Sequence, residues 1–410
     1  MANSDVIIVG AGFAGLALAL ALRSNSDRAL NVALVDRVDP RQSANPDADG
    51  RASALSAASR NLLEVLGIWQ HLAPRAQPIT EIDITDGKLE SPLRQVFLHY
   101  DNTLDDGDAA SHVVENRHLK QALLEALSND PEIALHIDQG ITNYHPTASN
   151  VELELASAQK LDAKLLVAAD GRRSHLRRLA GIKSVAWSYD QSGIVTTVTH
   201  EKPHNGRAVQ HFLPAGPFAI LPLPGNRSSL VWTEERTEAD RIMHLDDAEF
   251  LQELEQRFGH RLGALDLAGP RAAWPLDLSV ARRFIADRLV LVGDAAHGVH
   301  PIAGQGFNIA LRDVAALTEV IIDAQRLGLD IGAGAHLEHY QRWRRFDSLV
   351  SGLTFDGINR LFSNDVALVR TARDVGLGLV DRMPGLKRFF VQEAAGLTGD
   401  VPKLLRGERV

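Results

Sequence analysis

Cysteine is absent from the 410 residues. That absence excludes a disulfide framework, a thiolate metal site and a cysteine nucleophile, and it is the usage expected of a cytoplasmic compartment. Also missing is any apolar stretch of the ~18 residues needed to span a bilayer. The run Leu16–Leu22 is short, and Arg23 closes it. No basic segment precedes the first apolar strand, so Val6–Val9 does not read as a signal peptide. Positive charge is in deficit: 43 lysines and arginines stand against 52 aspartates and glutamates, a net charge of −9. A nucleic-acid binder would need a basic face to neutralise phosphates, so that class is excluded as a partner. There is no internal repeat and no low-complexity segment. What remains, 45% hydrophobic and 23% charged over a length exceeding one ordinary core, predicts a globular chain of two closely packed domains.

The pattern along the chain predicts a strand at Asp5–Val9, a helix at Leu16–Arg23 and a strand at Asn31–Val35 ending in Asp36. This is a β-α-β unit of the dinucleotide-binding kind. Ala52–Leu66 reads as a helix stopped by Gly67, and Asn116–Leu127 as a helix with Leu119, Leu123, Leu124 and Leu127 at helical spacing. Alternation between Ile79 and His99, and the strand-rich block from Ile194 to Trp232, predict a second sheet inserted into the first. Val151–Leu155 alternates as a strand, Asp246–Phe258 reads as a charged helix, and the chain after Gly306 reads as mostly helical. Leu161–Ala169 and Arg288–Val292 are buried strands that end in Asp170-Gly171 and Gly293-Asp294. Three strands far apart in sequence thus each end in a Gly/Asp turn. In a parallel sheet such ends meet along one edge, where ligands bind.

Gly10-Ala11-Gly12-Phe13-Ala14-Gly15 is a G-x-G-x-x-G turn between strand and helix. Gly10 permits the tight turn, Gly12 lets the backbone approach a pyrophosphate, and Gly15 lets the helix pack close to the strand. Asp36 is placed to accept hydrogen bonds from ribose hydroxyls. This segment alone does not separate FAD from NAD. Asp170-Gly171, followed by Ser174 and Arg177 at helix-start spacing, supports a ligand at this edge and fits equally a tight turn with an N-cap serine. Asp294 points to the flavin, because a carboxylate at that strand end can hold a ribityl chain, which NAD lacks. Gly304 and Gly306 expose backbone N–H groups at a helix start, which suits the side of isoalloxazine that becomes anionic on reduction.

The three segments resemble those of the FAD-dependent aromatic hydroxylases that include para-hydroxybenzoate hydroxylase. The third resembles most the ubiquinone-biosynthesis hydroxylases. It runs His300-Pro301-Ile302-Ala303-Gly304-Gln305-Gly306-Phe307-Asn308-Ile309-Ala310-Leu311-Arg312-Asp313, and it departs from the family pattern only at Ala310, where the family has glycine. Asp49-Gly50-Arg51 resembles the segment whose arginine lies by the flavin. Glu115-Asn116-Arg117 resembles the one that supplies a second FAD-contacting arginine. Gln210–Leu223 resembles a strand of the substrate domain.

The resemblance implies an α/β fold: a Rossmann-like FAD-binding domain from residues 1–75, 110–180 and 280–325, with an inserted β-sheet substrate domain from 76–109 and 181–279. A helical C-terminal region covers 326–410. It implies FAD as cofactor, with NAD(P)H or another electron donor as reductant. The expected cofactor contacts are Gly10, Gly12, Ala14, Gly15, Asp36, Arg51, Arg117, Asp170, Asp294, Gly304, Gln305, Gly306 and Asn308; Pro301 is the catalytic-site residue, lining the flavin front near C4a, with a rigid turn before the helix as its other reading. The implied reaction is hydroxylation of a polyprenylated phenol in ubiquinone synthesis through a C4a-hydroperoxyflavin. Oxygen is the co-substrate, and the polyprenyl tail would bring contacts with the inner-membrane surface or with quinone-biosynthesis proteins. A hydroxylase of a small soluble aromatic, and a non-catalytic flavin-bound scaffold, are the other readings. His297 and His300 lack a recognisable third ligand, so no metal is expected. His211, Phe212 and Trp232 fit either a substrate cavity or ordinary sheet packing. The basic-aromatic stretches Arg342–Phe346 and Lys387–Phe390 read as packing helices with solvated charges in preference to a membrane-facing surface.

Overall fold

The computed structural model describes residues 3–26, 30–42, 50–87, 96–137, 139–298, 306–345 and 384–410. Its first unit is the Asn3–Val9 strand, the Phe13–Asn25 helix and the Val32–Val35 strand. The helix is dominated by alanine and leucine and has no side-chain N-cap. It is held by burial around most of its circumference, with Leu16, Leu18 and Leu22 fully buried. Arg23 in its last turn pairs with Asp130 at 2.8 Å.

The Lys160–Ala168 strand lies parallel to the first strand, and Leu289–Leu291 lies parallel to Lys160–Ala168 on the far side. Val9 is level with Ala168, and Ala168 with Leu291. The three strands therefore leave the sheet at one height, and the turns that follow them share an edge. Val32–Val35 and Ala134–His136 extend the sheet on the other side. Val6, Ile7, Ile8, Leu165, Leu166 and Val167 are wholly buried, as continuous apolar strands must be in a parallel sheet covered on both faces.

A second, nine-stranded sheet takes its strands from Glu81–Asp86 and Val96–Asp101, from the stretch between Ser184 and Ala281, and from His297–Gly298. One face is covered by the helices Arg236–Met243 and Asp247–Phe258, through a core containing Phe218, Trp232, Phe250 and Leu254. Another core joins Ala208, Leu221 and Leu223 of this sheet to Ala52, Ala54 and Val113. Those last residues belong to a three-stranded sheet of Ala52–Ser56, Ser111–Glu115 and Gln77–Ile79, which bridges the two larger ones.

The expected helix over Ala52–Leu66 is corrected by this bridge. Ala52–Ser56 is a strand, paired antiparallel with Ser111–Glu115, and the helix occupies only Ala57–Val65. Ser56 ends the strand and caps the helix by accepting from the Ser59 N–H at 3.2 Å. The alanine-rich composition suits a helix locally, but Ala52 and Ala54 on alternate positions meet an apolar partner only as a strand.

Beyond Gly306–Arg326 the described residues are helical at 334–345 and Pro384–Ala395, with a short 3-10 turn at Lys403–Arg406. Arg344 is not a solvated charge: it is buried against Asp313. Trp343 donates from Nε1 to the Asp400 carbonyl at 2.9 Å. Phe346 lies outside the described residues.

Candidate cofactor site

Gly10 has φ +107°, and a Cβ there would lie 2.3 Å from the Ala169 carbonyl oxygen. The first turn is thus closed directly against the second segment. At Gly15 a Cβ would lie 1.9 Å from the Gly10 carbonyl oxygen, so the helix approaches the turn only because it has no side chain there. Gly12 is different. Nothing lies within 4 Å of its would-be Cβ, and it stands at the helix N-terminus. Two glycines build the turn, and the third leaves an open cradle where backbone N–H groups and the helix dipole favour an anion. Ala14 meets the third segment: a Cβ on Gly293 would lie 3.4 Å from the Cβ atoms of both Ala14 and Ala310.

Asp36 accepts from Ala11 N at 2.6 Å through Oδ2 and from Val38 N at 3.1 Å through Oδ1. Each carboxylate oxygen can accept a further bond. Lys120, on the Asn116–Ser128 helix, donates from Nζ to the Ala11 carbonyl at 3.0 Å. Burial pulls its ammonium below the ordinary lysine value, and the Asp36 charge works in the opposite direction. Lys120 was not among the expected residues, although it stands one helical turn beyond Arg117 and the spacing could have shown it.

Asp170 accepts from the N–H groups of His175 at 2.6 Å and Leu176 at 3.3 Å, both through Oδ2. Its Oδ1 is buried without a partner. An unsatisfied buried oxygen costs stability, and a hydroxyl-bearing ligand would satisfy it. Ser174 caps the next helix by accepting from Arg177 N at 3.0 Å. The Arg177 guanidinium, whose pKa burial lowers, donates to the carbonyls of Ala295 and Arg172, both at 2.8 Å. It ties the second turn to the third.

Asp294 is exposed at that third turn, and its side chain has no hydrogen bond among the described residues. The turn is fixed from behind. Gly293 N–H donates to Asp313 Oδ2 at 2.8 Å, His297 Nε2 meets the same oxygen at 2.6 Å, and Arg344 Nε donates to Oδ1 at 2.7 Å. Asp313 is wholly buried, which alone would raise its pKa, but His297 and Arg344 hold it below the ordinary carboxylate value. His297 is thus engaged by Asp313, and no group of three metal-ligating side chains occurs among the described residues.

Gly306 opens the long helix. Asn308 is buried and pins that helix to the bridging sheet: Oδ1 accepts from Ser56 N at 3.0 Å and Ser59 Oγ at 2.8 Å, and Nδ2 donates to the Ala54 carbonyl at 2.8 Å. His300, Pro301, Gly304 and Gln305 lie outside the described residues. Arg51 is exposed, with its guanidinium carbon 5.0 Å from the centre of the Trp274 ring. Arg117 pairs with Glu115 at 3.0 Å, and its Nε is buried without a partner. Trp232 packs on Phe218 and Phe250 and donates to Glu234 at 2.8 Å, and His211 stacks on Phe218. Both side chains are used in packing the second sheet.

The arrangement fits FAD on its own terms. An open anion cradle, an orphaned buried carboxylate oxygen, an exposed carboxylate and an unpartnered arginine nitrogen are the groups that a diphosphate and a polyhydroxyl chain would satisfy. A Rossmann-like sheet with this edge, joined to a second sheet that is antiparallel except where Glu81–Asp86 runs parallel to Arg207–Leu213, defines the class as a flavin-binding oxidoreductase fold. The chain belongs to the FAD binding domain family, whose model matches residues 3–344, and its cofactor is FAD. It is 46% identical to ubiquinone hydroxylase UbiL of Rhodospirillum rubrum over 407 residues, covering 98% of this chain and 93% of that protein. It is 33% identical to 3-demethoxyubiquinol 3-hydroxylase of Escherichia coli, covering 96% of this chain and 99% of the relative. Among solved structures, p-nitrophenol 4-monooxygenase PnpA of Pseudomonas putida shares the fold with a TM-score of 0.79 at 18% identity, covering 98% of this chain and 100% of that one.

Proposed function

We propose that the chain is an FAD-dependent monooxygenase that hydroxylates the aromatic ring of a polyprenylated phenol in ubiquinone biosynthesis. The observation that carries this reading is near-full-length similarity to a ubiquinone hydroxylase, 46% identical over 98% of the chain. The same reading assigns residues 1–75, 110–180 and 280–325 to cofactor binding, 76–109 and 181–279 to the substrate, and 326–410 to a helical C-terminal region.

Bound FAD supplies the redox chemistry, taking electrons from NAD(P)H or another donor and activating O2. The chain's own residues bind and orient. Gly12 leaves room for the diphosphate at the helix N-terminus, in a turn that Gly10 and Gly15 build and Ala14 packs against the third segment, and Asp36 takes the adenosine ribose. Asp170 and Asp294 take hydroxyls of the ribityl chain. Arg51 and Arg117 balance negative charge. The helix that Gly306 opens would turn its N-terminus, which favours negative charge, toward the ring, and the sequence pattern assigns Pro301, Gly304, Gln305 and Asn308 to the same group. No helix among the described residues is long and apolar enough to cross a membrane. A polyprenylated substrate would then be met at the inner-membrane surface or handed over by quinone-biosynthesis proteins.

The test is a flavin spectrum of the purified protein, followed by a screen for phenols that accelerate flavin reduction or oxygen uptake. A polyprenylated phenol should do so, and deleting the gene in its host should accumulate a quinone precursor lacking one hydroxyl. Failure to bind FAD even on reconstitution overturns the whole reading. Normal quinone in the deletion strain overturns the substrate alone.

A further inference from the structure

The open cradle at Gly12 has a cation beside it that comes from outside the glycine turn. Lys120 stands on the Asn116–Ser128 helix, is half-buried, and donates from Nζ to the Ala11 carbonyl at 3.0 Å. Ala11 immediately precedes Gly12, and its own N–H is taken by Asp36 Oδ2 at 2.6 Å. The same ammonium lies 6.0 Å from the centre of the Phe13 ring, and Phe13 is the first residue of the Phe13–Asn25 helix. Lys120 is therefore placed at the helix N-terminus, next to the glycine whose would-be Cβ meets nothing within 4 Å.

With protein groups alone, a cation is unfavourable there. A helix N-terminus carries partial positive charge, and the first turn of this helix holds no acidic residue. Burial disfavours the ammonium further and pulls its pKa below the ordinary lysine value, and the Asp36 charge works against that from a distance. No carboxylate among the described residues forms an ion pair with Lys120. An ammonium has three donors, and the Ala11 carbonyl takes one of them.

We infer that Lys120 is a cofactor-binding residue, whose ammonium completes the Gly12 cradle by facing the diphosphate of FAD. Backbone N–H groups, the helix dipole and this ammonium all direct positive charge at one place, and a diphosphate is the anionic part of the cofactor that would satisfy them. The hydrogen bond to Ala11 restrains the long side chain, so part of its rotamer freedom is lost on folding instead of on binding. Lys120 also attracts Asp36, and so offsets the repulsion between that carboxylate, assigned to the adenosine ribose, and the neighbouring diphosphate. The inference rests on the proposed function's placement of the diphosphate at Gly12.

The test is a titration of the full-length protein, stripped of FAD, with FAD by flavin fluorescence and with ADP as a competitor. ADP carries the diphosphate and lacks the isoalloxazine. Lys120→Gln keeps a donor for the Ala11 carbonyl and removes the charge, while Lys120→Arg keeps the charge. Lys120→Gln should weaken both FAD and ADP about ten- to a hundredfold, the loss of one charge-assisted hydrogen bond. It should also flatten the fall in affinity that added salt causes in the parent, and leave the thermal midpoint of the FAD-free protein level or higher. Lys120→Arg should recover most of the affinity. Unchanged FAD affinity in Lys120→Gln overturns the inference, and so does weaker FAD binding with ADP binding intact. A salt dependence as steep in Lys120→Gln as in the parent overturns it too, because a merely structural defect would leave the charge interaction in place. Gly12→Ala, measured alongside, separates the two levels. If it weakens FAD binding while Lys120→Gln does not, the cradle stands and Lys120 alone falls; if neither does, the placement of the diphosphate falls as well.

Discussion

Alanine at Gly12 and alanine at Gly15 should separate cofactor binding from folding, although the two sites are three residues apart in one turn. Gly12 has φ −74° and ψ −175°, extended backbone that alanine adopts without strain, and its would-be Cβ has no neighbour within 4 Å. The stability of the FAD-free protein should stay level or rise by about 0.4–1 kcal/mol, because alanine restricts the unfolded chain. The added methyl nevertheless fills the cradle that a diphosphate must enter. Losing one charge-assisted bond of about 1.5–3 kcal/mol lowers affinity roughly ten- to a hundredfold. At Gly15 a Cβ meets the Gly10 carbonyl oxygen at 1.9 Å, far inside contact, with backbone on both sides. That overpacking should cost about 1–3 kcal/mol or more before FAD is added. Thermal unfolding of the FAD-free variants and FAD titration by fluorescence read the two effects separately. A Gly12→Ala protein that binds FAD like the parent would refute the cradle.

Asp313→Asn removes the charge facing buried Arg344 and weakens the anchor of the Asp294 turn. It should destabilise by about 3–5 kcal/mol, seen as a lower thermal midpoint, together with weaker FAD binding. Asp294→Ser at an exposed position should leave the stability of the FAD-free protein within about 0.5 kcal/mol of the parent, so a fall in FAD affinity measured alongside it isolates a ligand contact. The Asp313 and Glu115 carboxyls are both held below their ordinary values in the folded state by neighbouring cations, against the upward pull of burial. Their stabilisation is therefore present above the ordinary carboxylate range and lost as pH falls through the depressed values. Acid unfolding of Asp313→Asn should show a shallower dependence on pH there, and an unchanged curve would count against the ion cluster.

Much of the fold is legible because its signals are local. A G-x-G-x-x-G turn between a strand and a helix, and apolar runs ending in Asp170-Gly171 and Gly293-Asp294, each state their conformation within a dozen residues. The bridging sheet is not legible in the same way. Ala52–Ser56 carries helix-prone alanines, and only pairing with Ser111–Glu115 makes it a strand. The anchors of the site escape for a similar reason. His297 has no partner in the sequence pattern, and Arg344 reads as a solvated charge, until Asp313 is placed between them. Lys120 and Trp274 carry no motif, and each meets a residue far away in the chain.

The sequence by itself therefore determined the cofactor class and the three turns that meet it. Backbone conformation at glycine, strand ends and helix starts follows from short-range sterics and hydrogen bonding. The tertiary structure alone decided how those turns are held. Asp313 fixes one turn from behind, Arg177 ties the second turn to the third, and Glu115 of the bridging sheet holds Arg117. Ion pairs and ring contacts between distant segments depend on how two sheets are brought together, and no local pattern encodes that distance.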